Sequence, residues 1–336
     1  MSASTATGTI ATAETGQFEV TEQFKDGAGS APFSFVGRKP LGRFAPSPTG
    51  ALHLGSLIAA MGSFLDARSA GASWLVRMED LDTPRVIPGC AGQQLRTLEA
   101  LGFEWDGEVL YQSTRREAYQ EAVARLDAAG RLFRCSCSRK ELSGDEDGHG
   151  YPGTCRQGPA KPGATSLRFR VGDQPIHFDD LFLGTQRFPP MGDVVVVRRD
   201  GIASYQLAVV VDDAFQCVTR VVRGADLLAS TAWQLDLQAA LGLTRPIYGH
   251  LPLLTEPDGT KLAKSRRSLP LDPARGAEAL FLALTHLSQS PPDYLARESI
   301  KHVWKWALAN WNPQALAGKT ESRLSAAGDR QAESTH

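Results

Sequence analysis

Residues 40–78 alternate strand, helix and strand, and this order restricts the fold more than any other feature of the chain. Residues 40–45 form a short apolar-rich run that ends at two prolines, whereas residues 54–68 carry apolar side chains at helical spacing. Residues 74–78 are again a short apolar run. A strand–helix–strand succession predicts a βαβ unit, and therefore a parallel sheet with helices packed on its faces.

The rest of the chain continues this alternation, so we expect an α/β protein with a doubly wound parallel sheet. The remaining predicted helices lie near 90–101, 115–130, 206–215, 226–241, 273–288 and 292–311, and the remaining predicted strands near 166–171 and 194–199. The two ends, 1–36 and 319–336, are polar and lack a periodic apolar face. We expect both ends to be disordered.

Composition excludes several classes of protein. Lys and Arg total 36 against 37 acidic residues, so any contact with nucleic acid has to come from a local basic surface. No apolar run approaches the roughly 20 residues that cross a bilayer, and we expect no membrane partner. The five cysteines are too few and too uneven for a disulfide scaffold. Three of them lie within residues 135–155, which suggests a metal site in a reducing compartment, the cytoplasm.

The first candidate site follows the first predicted strand. Residues 42–50 (GRFAPSPTG) turn at prolines and glycines and lead to His53-Leu-Gly-Ser56 at the start of a helix. Free backbone N–H groups and the helix dipole at such a point favour a phosphate. Gly50 and Gly55 leave room for a nucleotide, and His53 can touch a phosphate oxygen. Taken alone, the segment fits a nucleotide site and a ligand-free turn equally well.

The second candidate site is Lys261-Leu-Ala-Lys-Ser265, in a polar stretch after the apolar segment 250–254. Two lysines next to Gly259 predict a mobile cationic loop. Such a loop can close on a polyphosphate and neutralise the charge that develops at the α-phosphorus. Taken alone, a charged run of this kind is usually a solvated surface.

Together, the two segments resemble the HIGH and KMSKS signatures of the class I aminoacyl-tRNA synthetases. They stand here as HLGS at 53–56 and KLAKS at 261–265, with Ser56 in place of the second His and Ala263 in place of the first Ser. Three further stretches narrow the resemblance to the glutamyl group, namely RFAPSPTG at 43–50, VRMEDLD at 76–82 and VRGAD at 222–226. The resemblance extends in the expected order over about residues 40–270, which is far more specific than a single motif.

The length after the second signature favours one branch of that group. Residues 266–336 are too few for the helical anticodon-reading region of a full glutamyl-tRNA synthetase, so we expect no such domain. The chain thus resembles the shortened relatives, the glutamyl-Q tRNA(Asp) synthetase family. The resemblance implies tRNA-independent activation of L-glutamate by ATP with Mg²⁺. It then implies transfer of glutamate to the queuosine base at the wobble position, in the anticodon stem-loop of tRNA(Asp). We expect a monomeric ligase.

The resemblance also implies an architecture. A Rossmann-type catalytic domain is expected in two halves, 37–134 and 191–270. A zinc-bearing α/β insertion at 135–190 is expected to interrupt it, and a short helical remnant at 271–318 to follow it.

The cysteine cluster offers three thiolates for that zinc. Cys135-Ser-Cys137 and Tyr151-Pro-Gly-Thr-Cys155 can hold one Zn²⁺ tetrahedrally if a fourth ligand closes the shell. Spacing alone favours His149, because imidazole is a commoner zinc ligand than phenol. The resemblance points to Tyr151, since family members carry Cys-x-Cys followed by Tyr-x-x-x-Cys. Four protein ligands make the zinc structural, and the alternative is a set of free cysteines.

A glutamate site needs cations for two carboxylates and an anion for the ammonium group. Arg43, Arg223 and Glu79 supply those charges, although the sequence does not decide which arginine meets which carboxylate. The resemblance implies that the glutamate-binding residues are Arg43, Phe44, Ala45, Pro46, Ser47, Glu79, Tyr205 and Arg223. It implies that the ATP-binding residues are Pro46, His53, Gly55, Ser56, Lys261 and Lys264. His53 and Lys264 are the expected catalytic residues.

Rival interpretations share part of this pattern. A glutamyl-tRNA synthetase core would charge tRNA 3′ ends, and a nucleotidylyltransferase of the HxGH kind shares the α-phosphate chemistry without needing the three charged residues. A non-catalytic RNA-binding relative would not need His53 and Lys264. Among single residues, Asp80 and Asp82 are alternatively partners that orient Arg85. Arg223 is alternatively a partner of Asp226.

Overall fold

A parallel sheet covered by helices is the main element of the fold, as the first strand–helix–strand segment predicts. The computed structural model describes residues 39–138, 140–142, 151–255 and 270–323. The lysine loop with Lys261 and Lys264, the alternative zinc ligand His149, and most of both ends lie outside the described residues. Within the described part of the chain, no helix is long and apolar enough to cross a membrane.

All seven predicted helices have counterparts in the described residues, whereas the sequence predicted only four of the twelve described strands. The α-helices are α1 (Leu54–Ser69), α2 (Cys90–Ala100), α3 (Arg116–Ala128), α4 (Tyr205–Phe215), α5 (Leu228–Ala240), α6 (Gly276–His286) and α7 (Ile300–Asn310). The strands are β1 (Leu41–Phe44), β2 (Ser73–Met78), β3 (Leu110–Tyr111), β4 (Leu132–Cys135), β5 (Ser166–Phe169), β6 (Ile176–Asp180), β7 (Gly184–Phe188), β8 (Val194–Val197), β9 (Arg220–Gly224), β10 (Ile247–Leu251), β11 (Leu253–Thr255) and β12 (Glu321–Arg323).

The parallel sheet is built from two sets of strands that meet at β1 and β9. β1, β2 and β3 pair in parallel, and β9, β10 and β6 also pair in parallel, with β7 antiparallel to β6 at the edge. The Thr219 N–H donates to the Leu41 carbonyl at 2.9 Å and joins the two sets. The strand order reverses at this junction, which is where ligands bind in open α/β sheets.

Helix α1 is packed on several sides because it lies between the sheet and helices α6 and α7. Leu57, Met61 and Leu65 are completely buried. At Gly62, an added Cβ would lie 2.5 Å from a Leu251 methyl group, so a larger residue would displace the Leu251 side chain of β10. The N-terminus of α1 is thereby held at the carboxyl edge of the sheet.

The insertion differs from its predicted limits. Antiparallel strands β4, β5 and β8 form its sheet, so it uses residues on both sides of the predicted 135–190 segment. The hairpin β6–β7, inside that predicted segment, belongs to the main sheet through β10. Long-range strand pairing decides which sheet a strand joins, and local periodicity carries no information about it.

Two helical predictions and one terminal prediction also differ in detail. The predicted helix 292–311 is divided, because Ser299 caps α7 by accepting the His302 N–H after a 3₁₀ turn. The predicted helix 226–241 likewise begins with a 3₁₀ turn, and α5 starts only at Leu228. The predicted disordered tail begins too early, since β12 pairs in parallel with β11. The edge of β11 has backbone groups that need partners, and β12 supplies them.

Candidate active site

A cavity of about 740 Å³ lies at the carboxyl ends of β1, β2, β9 and β10, beside the N-terminus of α1. It brings together most of the residues predicted to bind glutamate and ATP. Its lining includes Arg43, Phe44, Ala45, Ser47, His53, Gly55, Ser56, Glu79, Tyr205 and Arg223. Pro46 lies just behind this lining, where its carbonyl accepts the Glu79 N–H at 2.9 Å. Lys261 and Lys264 lie outside the described residues, so their place at this site stays a prediction.

His53 is the N-cap of α1, and its geometry explains the departure at Ser56. The His53 Nδ1 accepts the Ser56 N–H at 3.3 Å, and the Ser56 Oγ accepts the His53 N–H at 3.5 Å. These two bonds form a capping box, which satisfies two N–H groups at the helix start. Because Nδ1 is an acceptor, the neutral imidazole carries its proton on Nε2. Ser56 therefore orients His53 at the mouth of the helix.

A buried ion network holds the first arginine of the predicted site. The Asp213 Oδ1 accepts from the Arg43 Nε at 3.1 Å and from an Arg77 terminal nitrogen at 2.8 Å. Arg77 also contacts the Glu79 carboxylate at 3.5 Å. Arg43, Arg77 and Asp213 are almost entirely buried, so each charge depends on the others for stabilisation.

The network shifts the pKa values of its members in opposite directions. Burial raises the pKa of Glu79, although Arg77 and Arg43 partly oppose the rise. Burial would also raise the pKa of Asp213, but Arg43 and Arg77 outweigh it and the pKa falls. Asp213 is therefore the carboxylate of the network whose ionised form is stabilised. Glu79 lines the cavity, where a ligand ammonium group would be a second cation beside its carboxylate.

Arg223 lies on the opposite wall and has a different environment. Its terminal nitrogens donate to the Tyr205 hydroxyl at 3.1 Å and to the Thr231 Oγ1 at 2.7 Å, and its Nε donates to the His250 Nε2 at 3.3 Å. Among the ion pairs of the described residues, none includes Arg223. A buried guanidinium with neutral partners is suited to bind a carboxylate from a ligand.

The structural alternatives that the sequence left open for Asp80, Asp82 and Arg223 have different outcomes. Asp82 pairs with Arg85 and, at 2.9 Å, with Arg198, so it does orient Arg85. Asp80 instead accepts from the Ser113 backbone N–H at 2.7 Å and from its hydroxyl at 2.6 Å. Arg223 donates to the partners given above rather than to Asp226.

A second cavity, of about 640 Å³, separates the catalytic sheet from the cysteine cluster. Four residues line both cavities, namely Ser47, Glu79, Arg85 and Tyr205. Its outer wall carries Arg198, Arg199 and Asp200 from the end of β8, together with Cys137 of the cysteine cluster. The two cavities therefore meet at the wall that carries Glu79 and Tyr205.

The cysteine cluster has the dimensions of a tetrahedral metal site. The sulfur atoms of Cys135, Cys137 and Cys155 all lie within 4.8 Å of one another, and those of Cys137 and Cys155 are 3.6 Å apart. The Tyr151 hydroxyl lies 3.4 Å from the Cys135 sulfur and 3.7 Å from the Cys137 sulfur. Tetrahedral zinc with Zn–S bonds of about 2.3 Å places its sulfur ligands about 3.8 Å apart, so these residues fit such an ion.

The supporting residues of the site were not predicted from the sequence. Arg77 interrupts an apolar strand and Asp213 ends an apolar helical run, and each is a charged residue in a segment predicted to be buried. His250 and Asp180 behind Arg223 have the same character, since both are buried. Because buried charges need partners, a charged residue in an apolar segment indicates that a partner exists elsewhere in the chain. The sequence could not say which partner.

Comparison with known proteins shows which family and which relatives the chain resembles. The family described as tRNA synthetases class I (E and Q), catalytic domain, matches residues 41–275. Proteins named glutamyl-Q tRNA(Asp) synthetase from Dechloromonas aromatica and Geobacter sulfurreducens are 52% and 51% identical to the chain over 285 and 292 residues. Both alignments cover 82% of this chain, and they cover 95% and 93% of the two relatives.

A solved structure shares the fold. The crystal structure of a glutamate tRNA ligase from Elizabethkingia meningosepticum, in complex with its amino acid, has a TM-score of 0.69 and 25% identity, covering 86% of this chain and 68% of that one. The family match covers most of the chain, and both alignments cover most of each relative. The chain is therefore a ligase-type enzyme that belongs to the family of class I tRNA synthetases (E and Q).

Proposed function

We propose that the protein activates L-glutamate with Mg-ATP and transfers the glutamyl group to the queuosine base at the wobble position of tRNA(Asp). The observation that carries the proposal is the cavity in which Arg223, Glu79 and His53 meet at the N-terminus of α1. These are a cation for a carboxylate, an anion for an ammonium group, and a donor for a phosphate. The names of the relatives support glutamate as amino acid and tRNA(Asp) as acceptor.

In the first step, the α-carboxylate oxygen of glutamate attacks the α-phosphorus of ATP. A C–O–P bond forms, and the bond to the β-phosphate oxygen breaks to release pyrophosphate. Arg223 and Arg43 bind the carboxylates, and Glu79 binds the ammonium group. His53, Lys264 and the N–H groups of α1 stabilise the charge at phosphorus. The protein acts mainly by positioning and electrostatics.

In the second step, a hydroxyl group of the queuosine cyclopentenediol attacks the activated carbonyl carbon and forms an ester bond. The bond from that carbon to the phosphate oxygen breaks, and AMP and the hydroxyl proton leave. The second cavity has a suitable volume for the modified nucleoside and borders the Glu79 and Tyr205 wall. Arg198 is paired with Asp82 and Asp200, whereas the exposed Arg199 is in no ion pair of the described residues. Arg199 therefore gives the rim a local positive charge for contact with phosphates, in a chain with a net charge of −1. A nucleoside bound in this cavity would lie next to the activated glutamate.

A structural zinc ion fits the same proposal. Cys135, Cys137, Tyr151 and Cys155 would hold it, and four protein ligands leave no position for a reactant. The Arg199 guanidinium donates to the carbonyls of Ser136 at 2.6 Å and Cys137 at 2.7 Å. The ion would therefore fix the loop on which a rim arginine of the second cavity is anchored.

The test is aminoacylation with radiolabelled glutamate of tRNA(Asp) purified with and without queuosine. We expect charging only with queuosine, and also of the isolated anticodon stem-loop that bears it. Periodate oxidation of the queuosine diol before the assay is expected to abolish charging of this stem-loop. Removal of the 3′-terminal adenosine from intact tRNA(Asp) is the matched control and should leave charging unchanged.

Two outcomes would contradict the proposal. Charging that requires the 3′ adenosine and ignores queuosine would indicate a glutamyl-tRNA synthetase core. Absence of glutamate-dependent ATP–pyrophosphate exchange would indicate a non-catalytic relative.

A further inference from the structure

A hydrogen-bonded chain of buried side chains leads away from the substrate cavity behind Arg223. His250 lies opposite Arg223 in the register of the parallel strands β10 and β9 and is completely buried. Its Nδ1 lies 2.6 Å from the Asp180 Oδ2, and its Nε2 lies 3.3 Å from the Arg223 Nε. The order from the interior to the cavity is therefore Asp180, His250, Arg223.

The groups on both sides of His250 specify one tautomer. Asp180 accepts hydrogen bonds as a carboxylate, so the imidazole proton belongs on Nδ1. The Arg223 Nε–H can only donate, so the Nε2 of His250 must carry the lone pair. Burial, together with the nearby Arg223 cation, lowers the pKa of His250, which keeps the ring neutral. A neutral Nδ1–H ring satisfies both neighbours at once.

Asp180 is itself fixed by the backbone. Its Oδ1 accepts the N–H groups of Phe182 at 3.0 Å, Leu183 at 3.0 Å and His250 at 3.2 Å. These three bonds leave Oδ2 as the oxygen that faces the imidazole. The carboxylate therefore cannot turn without losing several hydrogen bonds.

We propose that Asp180 and His250 are positioning residues that orient the Arg223 guanidinium for a carboxylate of the amino-acid substrate. The inference rests on the proposed function, because it takes glutamate as that substrate. The Thr231 Oγ1, 3.1 Å from the His250 Nε2, and the Tyr205 hydroxyl complete the set of groups around the guanidinium. Asp180 acts on the Arg223 cation through His250 and does not contact the guanidinium directly. The side of Arg223 that lines the cavity therefore stays available to a ligand carboxylate.

The Asp180→Asn variant gives a sharp test, because the backbone dictates how the new amide lies. The three N–H groups need the amide oxygen at the Oδ1 position, so the amide NH₂ is directed at His250. That NH₂ donates to Nδ1 and moves the imidazole proton to Nε2, where it opposes the Arg223 Nε–H. The substitution keeps the shape of Asp180 and reverses the tautomer.

We expect Asp180→Asn to raise the KM for glutamate in ATP–pyrophosphate exchange by about tenfold or more, with the KM for ATP unchanged. That factor corresponds to one lost hydrogen bond to a charged group. His250→Gln should retain most of the glutamate affinity, because the Gln amide oxygen can accept from the Arg223 Nε without help from Asp180. In the His250→Gln background, Asp180→Asn should therefore change the KM for glutamate little.

The matched control is Glu298→Gln, which removes a carboxylate from the Nδ1 of the exposed His302 at 2.8 Å and should change neither KM. A second readout is ¹⁵N NMR of histidine-labelled protein, with the His250 signal identified by its loss in His250→Gln. The wild type should show the Nδ1–H tautomer, and Asp180→Asn the Nε2–H tautomer.

The outcomes separate the inference from the proposed function. An unchanged KM for glutamate in Asp180→Asn, or equal losses for glutamate and ATP with a lowered Tm, would overturn the positioning role. A wild type without glutamate-dependent exchange would refute the proposed function instead. In that case the NMR result still decides, because an Nε2–H tautomer in the wild type overturns the inference.

Discussion

Replacing Asp213 with Asn removes the carboxylate that contacts both Arg43 and Arg77 in the buried ion network. Asp213 is 4% exposed and its Oδ1 contacts both Arg43 and Arg77. Among the ion pairs of the described residues, the variant leaves these two buried cations with Glu79 as their remaining partner. Removing one partner of a buried ion pair costs about 3–5 kcal/mol of folding free energy. We expect the free energy of unfolding to fall by that amount, which corresponds to a drop in Tm of roughly 6–20 °C.

The measurement is urea unfolding followed by circular dichroism, with the KM for glutamate measured on the same preparations. Because Arg43 loses the carboxylate that orients it, the KM for glutamate should rise as well. Glu278→Gln is a control, since it breaks the partly exposed pair with Arg275, and such pairs contribute little. A loss below about 1 kcal/mol in Asp213→Asn would refute the view that the network depends on this carboxylate.

The difference in stability between the wild type and Asp213→Asn depends on pH, and its direction follows from the sign of the Asp213 pKa shift. Arg43 and Arg77 outweigh burial and lower this pKa below its ordinary 3.8 in the folded protein. The stability that Asp213 contributes is therefore complete above about pH 4 and is lost as the pH falls through the lower, folded pKa. The stability gap between wild type and Asp213→Asn should be constant from pH 7 to pH 5 and narrow only below pH 4.

Three further predictions concern the chemistry and the insertion. Lys264→Ala should abolish ATP–pyrophosphate exchange while leaving Tm unchanged, and intact exchange would remove this lysine from the catalytic residues. Cys155→Ser should lower the zinc content measured by atomic absorption from about one ion per chain, and an equal content in the variant would exclude this site. Arg199→Ala should slow transfer to queuosine-bearing tRNA(Asp) and leave glutamate-dependent exchange unchanged, whereas equal losses in both assays would place the RNA elsewhere.

Local sequence predicted the elements near the site because local patterns determine them. Periodicity identified α1, and the turn before it identified His53 as a residue at a helix start. Side-chain chemistry likewise indicated Arg43, Glu79 and Arg223 as charged residues of one site, and these three do line one cavity.

The sequence did not predict the role of a residue or strand when that role depends on a partner far away in the chain. Asp213 was part of a predicted helix without a role, yet it joins Arg43 and Arg77 from two other elements. The hairpin β6–β7 was assigned to the insertion, although pairing with β10 places it in the main sheet. That pairing is what brings Asp180 behind His250.

Local sequence patterns were enough to predict a parallel α/β sheet with ligand-binding side chains after the strand ends. Periodicity, turn residues and motif spacing are local properties, so they can be recognised in the sequence without knowledge of the fold. Folding, in contrast, decides that Arg43 pairs with a buried carboxylate and that Arg223 has neutral hydrogen-bond partners. Charge compensation in a buried site is a matter of distances of about 3 Å between segments far apart in sequence, and these distances exist only after folding.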